Sequence, residues 1–421
     1  MSLMSTRIAF ATSLLLFAAG WSAPAECQTL TVLHAFTGGA DGSLPGAGLT
    51  IDQRGRLYGT DHVGGDVSGQ FCAPFGCGVA FQLTNVAGSW VLAPIYTFGG
   101  GNDGASPTST LVFGPDGALY GTTIVGGGGP CDGFSLSGCG TVFSLRPPAR
   151  ACARVTCPWL ETVLYRFTGA ADGAYPSFGA VVFDRAGNLY GTTRAGGRFG
   201  QGAVYELSRS AGGWTESTLY SFTGGSDGST PFSGVVFDSA GNLYGTTFQG
   251  GAAGDGTVFE LTPSASGWNF NLLYTFTGGN DGRMPWGGLT LDASGSLFGS
   301  TSRGGGAGTV FQLTLLQGTR SFRTIYSLES YPSGTLALDE AGNLYGETVG
   351  GGRYANGTVF QLSQSGGNWV YTDLHDFYSD DGVNPFGDTL LSNGTVYGVT
   401  EYGGPNHCEQ VTCGVAWELR P

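Results

Sequence analysis

Six aspartates recur in one short context, each followed directly by glycine: Asp41, Asp103, Asp172, Asp227, Asp281 and Asp381. Carboxylates beside glycine carbonyls are the hard oxygen donors that calcium takes. A ring of these six is therefore the candidate metal site, and calcium the candidate cofactor. The same pattern also makes a tight turn, in which the aspartate bonds its own backbone. Both readings stay open at this stage. Aromatic residues stand just after nearby prolines: Phe178, Phe232, Trp286 and Phe386. Aromatic faces beside carboxylates suit sugars or small cationic ligands. Asp227, Asp281, Asp381, Phe232, Trp286 and Phe386 are accordingly the candidate ligand-binding set. The competing use of the rings is a hydrophobic lid over the strands beneath.

Catalytic signatures are sparse. The four histidines, His34, His62, His375 and His407, show no H-E-x-x-H or other ligand spacing. No nucleophile elbow with a partnered histidine is present. The basic residues are all arginine, which removes Schiff-base chemistry and phosphate loops that need lysine. No residue is assigned a catalytic role. The enzyme alternative is a glycoside hydrolase or lyase, which needs two carboxylates at a set separation; the aspartate set supplies candidates without singling out a pair.

The elements that carry these residues repeat. Leu57-Tyr58-Gly59-Thr60 returns at Leu119, Leu189, Leu243, Leu297, Leu344 and Val396. A Gly-Thr-Val-Phe-x-Leu segment follows each copy, and a Leu-Tyr-x-Phe-Thr-Gly-Gly-x-Asp-Gly segment follows that, clearest at 219–228 and 273–282. A fourth apolar run precedes each Leu-Tyr. Each run is short, rich in β-branched and aromatic residues, and bounded by turn residues, which is strand chemistry. Seven repeats of four strands at a period near 50 predict an all-β, seven-bladed β-propeller. The predicted order within a blade is inner run, Leu-Tyr strand, Gly-Thr-Val strand, then the Tyr-x-Phe strand outermost. In that phase the N-terminal strand near Leu30–Thr37 completes the last blade and closes the ring, sparing it an open edge. The aromatic that opens each outer strand (Trp90, Trp159, Trp214, Trp268, Phe322, Trp369) is expected to pack at the blade rim.

This phase puts the Asp-Gly turns and the loops between second and third strands on one face, here called the top. Phe178, Phe232, Trp286 and Phe386 fall near the mouth of the central channel. A metal-centred channel would need acidic or amide side chains where the inner strands start. Those positions are small instead: Ala47, Ser109, Ala180, Ser233, Gly287 and Gly334, with Asp388 the charged exception. The second-to-third-strand loops are longest in blades 1, 2 and 7. They would form a raised sector bearing Phe71, Phe75, Phe134, Tyr402 and His407, on a rigid scaffold where binding function concentrates.

Composition agrees. Glycine accounts for 78 of 421 residues, which excludes a helical bundle. Aromatics at 13% and hydrophobics at 41% supply a core that a disordered chain lacks. The net charge of −14 repels nucleic-acid phosphates, so nucleic acid is not an expected partner. Residues 1–25 read as a secretory signal: Arg7, an apolar run over 8–20, then Ala23-Pro24-Ala25. Residues 26–421 form one domain, without an integral membrane segment after cleavage. Eight cysteines fall in close pairs, Cys72/Cys77, Cys131/Cys139, Cys152/Cys157 and Cys408/Cys413, expected as disulfides; Cys27 is left over. The expected product is a monomer, secreted to the periplasm or the cell exterior, binding a glycan or a surface protein.

The run Gly187–Thr193 followed by Gly196–Tyr205, and its copy Gly241–Thr247 followed by Gly250–Phe259, resemble the GloVer tandem-repeat family of exported bacterial proteins. The resemblance extends through essentially the whole mature chain. It implies an extracellular β-repeat protein and brings no established activity with it.

Overall fold

The computed structural model describes residues 28–67, 72–131, 137–148, 159–176, 178–316, 319–406 and 413–420. The expected signal segment, Cys27, Cys152, Cys157, Cys408, Phe71, Phe134 and His407 lie outside those residues. Seven small antiparallel sheets stand in a ring, and the described residues contain no helix. The protein is a seven-bladed β-propeller. In blade 4, Val236–Phe237, Leu243–Thr247, Thr257–Ser264 and Gly267–Thr275 pair in that order from axis to rim. The predicted strand order holds in every blade. Thr29–Ala35 pairs with Val415–Arg420 as the outer strand of blade 7, so the two ends of the described chain close the ring.

The core is divided into seven clusters of buried residues, which straddle the joints between neighbouring blades. Each follows one recipe. A phenylalanine ending an outer strand reaches into the next blade and meets the aromatic of its third strand. Phe36 meets Phe81, Phe98 meets Phe143, Phe167 meets Tyr205, Phe222 meets Phe259, Phe276 meets Phe311 and Phe377 meets Trp417. Ring centroids lie 5.0–5.5 Å apart in edge-to-face contact, the geometry that aromatic quadrupoles favour. Leu328 takes the phenylalanine's place beside Phe360. The third-strand ring needs room, and the glycine after each Leu-Tyr provides it. A methyl group at Gly59, Gly245 or Gly299 would lie 2.5 Å from the ring tip of Phe81, Phe259 or Phe311. At the rim, Trp159, Trp214 and Trp268 pack on Tyr58, Tyr120 and Tyr190 of the preceding blade.

A second joint runs nearer the axis. The glycine that opens each third strand abuts a proline of the following blade: Gly78 with Pro107, Gly140 with Pro176, Gly202 with Pro231, Gly256 with Pro285, Gly308 with Pro332, Gly357 with Pro385, and Gly414 with Pro45. A methyl group there would sit 2.3–2.8 Å from the proline Cδ. The residue before the proline has a positive φ of 54–57° at Leu44, Ser106, Tyr175, Thr230, Met284 and Asn384. That left-handed turn aims its N–H back across the joint, as in Thr230 N–H to the Gln201 carbonyl at 2.8 Å and Met284 N–H to the Asp255 carbonyl at 2.7 Å.

The inner strands differ from the continuous runs expected from sequence. In blades 1, 2, 3 and 7 they are split into two short pieces, such as Ala174–Pro176 and Val182–Phe183. Proline has no N–H to continue the ladder. The chain leaves the sheet after it, crosses to the axis, and rejoins the sheet a few residues later.

Asp61 is a misfit among the strands, as is the buried Glu347 at the neighbouring repeat position in blade 6. Asp61 occupies the second threonine of the Leu-Tyr-Gly-Thr-Thr pattern. In blades 2, 4, 5, 6 and 7 that threonine donates to the carbonyl two residues on, as Thr247 does to Gln249 at 3.0 Å and Thr348 to Gly350 at 2.7 Å. Asp61 is fully buried and neither carboxylate oxygen has a partner. Burial, with the Asp41 charge nearby, raises its pKa well above the ordinary value.

Two outcomes follow for stability. Gly256→Ala places a methyl against the Thr247 carbonyl and Pro285 at φ +97°, whereas Gly241 has φ +90° with open space around it. Gly241→Ala should cost about 1–2 kcal/mol from backbone strain alone, and Gly256→Ala about 2–5 kcal/mol once overpacking is added. Equal losses in urea unfolding would refute the glycine–proline joint. Asp61→Thr restores the donor and should gain about 1–3 kcal/mol at pH 7. The folded pKa of Asp61 is raised, so wild-type stability is lost as pH rises above the ordinary carboxylate value. The gain should therefore shrink below about pH 4. A gain independent of pH, in melts from about pH 3.5 to 7, would contradict the assignment.

Candidate functional site

The prolines of the inner joint set the site. Residues that face the axis on the top side stand directly after them in blades 4, 5 and 7, and two positions after Pro176 in blade 3. Phe178 comes from blade 3, Phe232 from blade 4, Trp286 from blade 5 and Phe386 from blade 7. Their rings converge: Phe178–Phe232 5.6 Å, Phe232–Trp286 4.4 Å, Trp286–Phe386 6.0 Å and Phe178–Phe386 6.4 Å between centroids. Phe248 joins them, 4.9 Å from Phe232 and 5.6 Å from Trp286. Blades 1, 2 and 6 carry Gly46, Thr108 and Ser333 after their prolines, so the aromatic cap is incomplete.

Beneath the cap, where the sequence predicts a central channel, the described residues close the axis. The chain segments that cross to the axis meet one another backbone to backbone. A methyl group at Gly179 would fall 1.8 Å from the Gly234 nitrogen, and one at Gly287 1.8 Å from the Gly334 oxygen. The remaining void is about 20 Å³, room for one water. Asp388 clasps this closure: it accepts from the Thr110 hydroxyl at 2.7 Å and from the Thr335 N–H at 2.9 Å. The small residues at the inner-strand starts are what allow the axis to close.

Where the cap lacks an aromatic, cavities open. One of about 320 Å³ lies over Ser333, walled by Phe248, Trp286, Tyr331 and Phe386, with Arg303 and Glu401 on its lining. Another of about 310 Å³ lies over Gly46, lined by Leu44, His62, Phe178, Trp286, Phe386 and Glu401. Trp286, Phe386 and Glu401 belong to both, so the two form one basin around the Trp286–Phe386 pair. Burial pushes the Glu401 carboxyl up from its ordinary pKa, partly offset by a hydrogen bond from Tyr402. Burial also pulls the His62 imidazole down, which favours its neutral form. On the far side of the cap, the Arg194 guanidinium stands 5.3 Å from the Phe232 ring centre.

His62, Arg194, Phe248 and Glu401 share one register. Each is the residue just after the two residues that follow Leu-Tyr-Gly or its counterpart. The full set around the ring is His62, Ile124, Arg194, Phe248, Ser302, Val349 and Glu401. The frame before these positions is nearly constant, yet they range over acid, base, aromatic and aliphatic. Sequence reading missed Phe248, Glu401 and His62 as basin residues. The available signal was this variable column inside a constant repeat, set beside its position at the top of the second strand.

The six aspartates sit elsewhere. Each is engaged in its own outer-to-inner turn. Asp172 accepts from Thr168 N–H at 2.7 Å, the Thr168 hydroxyl at 2.6 Å and the Tyr165 hydroxyl at 3.0 Å. Asp227 and Asp281 repeat this with Thr223 and Tyr220, and with Thr277 and Tyr274. Asp103 accepts from Gly99 N–H and the Tyr96 hydroxyl. Asp41 and Asp381 pair with His34 and His375 at 3.0 and 2.9 Å. The structure thus brings Phe232, Trp286 and Phe386 together and leaves Asp227, Asp281 and Asp381 in separate turns. Among the described residues, no three His, Cys, Asp or Glu side chains are placed to share a metal ion.

In the raised sector, Cys72–Cys77 and Cys131–Cys139 are disulfide-bonded, as expected, and Cys413 is also in a disulfide. Phe75 is exposed there, and Tyr402 is half-buried. No helix among the described residues is long and apolar enough to cross a membrane.

Among solved structures, the chain is similar to a putative glucose dehydrogenase of Thermus thermophilus, at 14% identity and a TM-score of 0.42, covering 93% of this chain and 99% of that one. It is similar to the aldose sugar dehydrogenase of Streptomyces coelicolor at 12% identity and 0.41, covering 94% and 100%. TolB of Acinetobacter baumannii matches at 14% and 0.37, over 70% of this chain and 59% of that one. At these values the likeness carries nothing about activity. A search of curated proteins returns no match. The family model of the Gloeobacter/Verrucomicrobia repeat matches residues 178–412, more than half of the chain. With the repeats and the blades they form, that match identifies the chain as a member of the Gloeobacter/Verrucomicrobia repeat family.

Proposed function

We propose that this protein is an exported binding module whose ligand sits in the top-face basin, its apolar face against Trp286 and Phe386. The observation that carries this reading is the interrupted cap. Four blades place aromatics over the axis, and the gaps at Ser333 and Gly46 leave cavities of about 320 and 310 Å³ beside the rings. Concave sites with aromatic walls and a few polar groups are the usual form of a small-molecule site. Variable residues at the head of the second strands line that basin, while the frame that holds them repeats. Export is supported by the disulfides, which persist in oxidising compartments, and by the apolar run of residues 8–20.

The enzyme alternative has less support. A glycosidase needs two carboxyl groups across the substrate. Among the described residues lining the two cavities, Glu401 is the single carboxylic acid.

The reading is tested by titrating the protein with a panel of neutral oligosaccharides and apolar zwitterions, followed by tryptophan fluorescence and calorimetry. At least one member should bind saturably, and Trp286→Ala combined with Phe386→Ala should weaken it tenfold or more while the protein stays folded. Binding that ignores this double change, or no saturable binding across the panel, would overturn it.

A further inference from the structure

We propose that the basin takes a small zwitterion with a large apolar side chain, its cationic end at Glu401 and its anionic end at Arg303. This rests on the binding-module reading and adds the ligand's chemical class. The carrying observation is a split charge pair. Arg303 and Glu401 line the same cavity of about 320 Å³. They carry opposite charges, yet among the described residues neither forms an ion pair with the other or with any third group. The rings of Phe248, Trp286, Tyr331 and Phe386 line the same cavity.

The six Asp-Gly carboxylates of this face are held by donors at short range, two of them by histidine. Glu401 has the Tyr402 hydrogen bond and otherwise faces the basin. Its burial disfavours the ionised form until a cation arrives. Arg303 is anchored at its backbone, where it exchanges hydrogen bonds with Arg283 of 2.7 and 3.2 Å. Arg303 is exposed and lines the cavity, and its guanidinium has the bidentate donors that suit a carboxylate.

A neutral sugar would cover both charges without pairing either, which carries a desolvation cost. A lone cation or anion would satisfy one of them. A zwitterion satisfies both, and the aromatic walls take its side chain; an ammonium near Trp286 and Phe386 also gains from their ring faces. The cavity has room for a molecule the size of an aromatic amino acid.

The test uses L-phenylalanine as the probe, with 2-phenylethylamine and 3-phenylpropionate as its cation-only and anion-only halves and cellotriose as a neutral sugar. Wild type, Glu401→Gln and Arg303→Met are compared by calorimetry, with thermal melts to show that each variant is folded. L-phenylalanine should bind most tightly, and each substitution should weaken it at least tenfold. Glu401→Gln should weaken phenylethylamine and spare phenylpropionate; Arg303→Met should do the reverse. If L-phenylalanine fails to bind, or binds equally well to both variants and wild type, the ligand class is overturned. Cellotriose binding that is lost with Trp286 and Phe386 would then leave the binding module standing without it.

Discussion

Seven contacts between a glycine and a proline set the geometry on which the rest of this propeller depends. Each glycine opens a third strand and lies against the proline of the next blade, too close for any side chain. Backbone-to-ring contact of this kind fixes the distance and angle between neighbouring sheets more tightly than side-chain packing can, because neither partner has rotamers to adjust. The outer aromatic pairs then fill the joint that this spacing leaves. Gly414 against Pro45 makes the final joint with the same contact as the others, so ring closure needs no special device beyond the N-terminal strand.

The proline has a second effect. Because it cannot extend the ladder, it ejects the chain toward the axis, where glycine backbones press together and shut the channel. Among the described residues the axis keeps a void of only about 20 Å³. The polar and aromatic variation is displaced onto the top face, at the residue after the proline and at the head of the second strand. Those two positions from different blades build the basin. The same ejection places Asp388 across the axis, bonded to threonines of two other blades.

The turn aspartates show how a repeated chemical motif can be structural throughout. Each carboxylate closes its turn by accepting a backbone N–H and at least one further donor, commonly threonine, tyrosine or histidine. Glu401 and Arg303 differ in that they line one cavity and, among the described residues, form no ion pair. In a chain of net charge −14 with few arginines, an arginine and a glutamate that share one cavity without touching hold their charges apart for a third party to bridge.

The blade count, the strand order within a blade, the closing strand and the disulfide pairs at Cys72–Cys77 and Cys131–Cys139 were all legible in the sequence. They are local patterns, and seven copies of one pattern reinforce each other. The aromatics Phe178, Phe232, Trp286 and Phe386 were legible as top-face residues for the same reason. Their convergence was not, nor was the closed axis, because both depend on how far the inner strands advance before the proline breaks them. The basin itself was hidden. Ser333 and Gly46 matter for what they lack, and His62, Arg303 and Glu401 come from separate blades, His62 and Glu401 at one variable repeat position and Arg303 at the next. Sequence alone determined what every blade shares, since that is written into each repeat. Only the tertiary structure decided which exceptions to the repeat become neighbours, because adjacency around the axis is set by packing between blades.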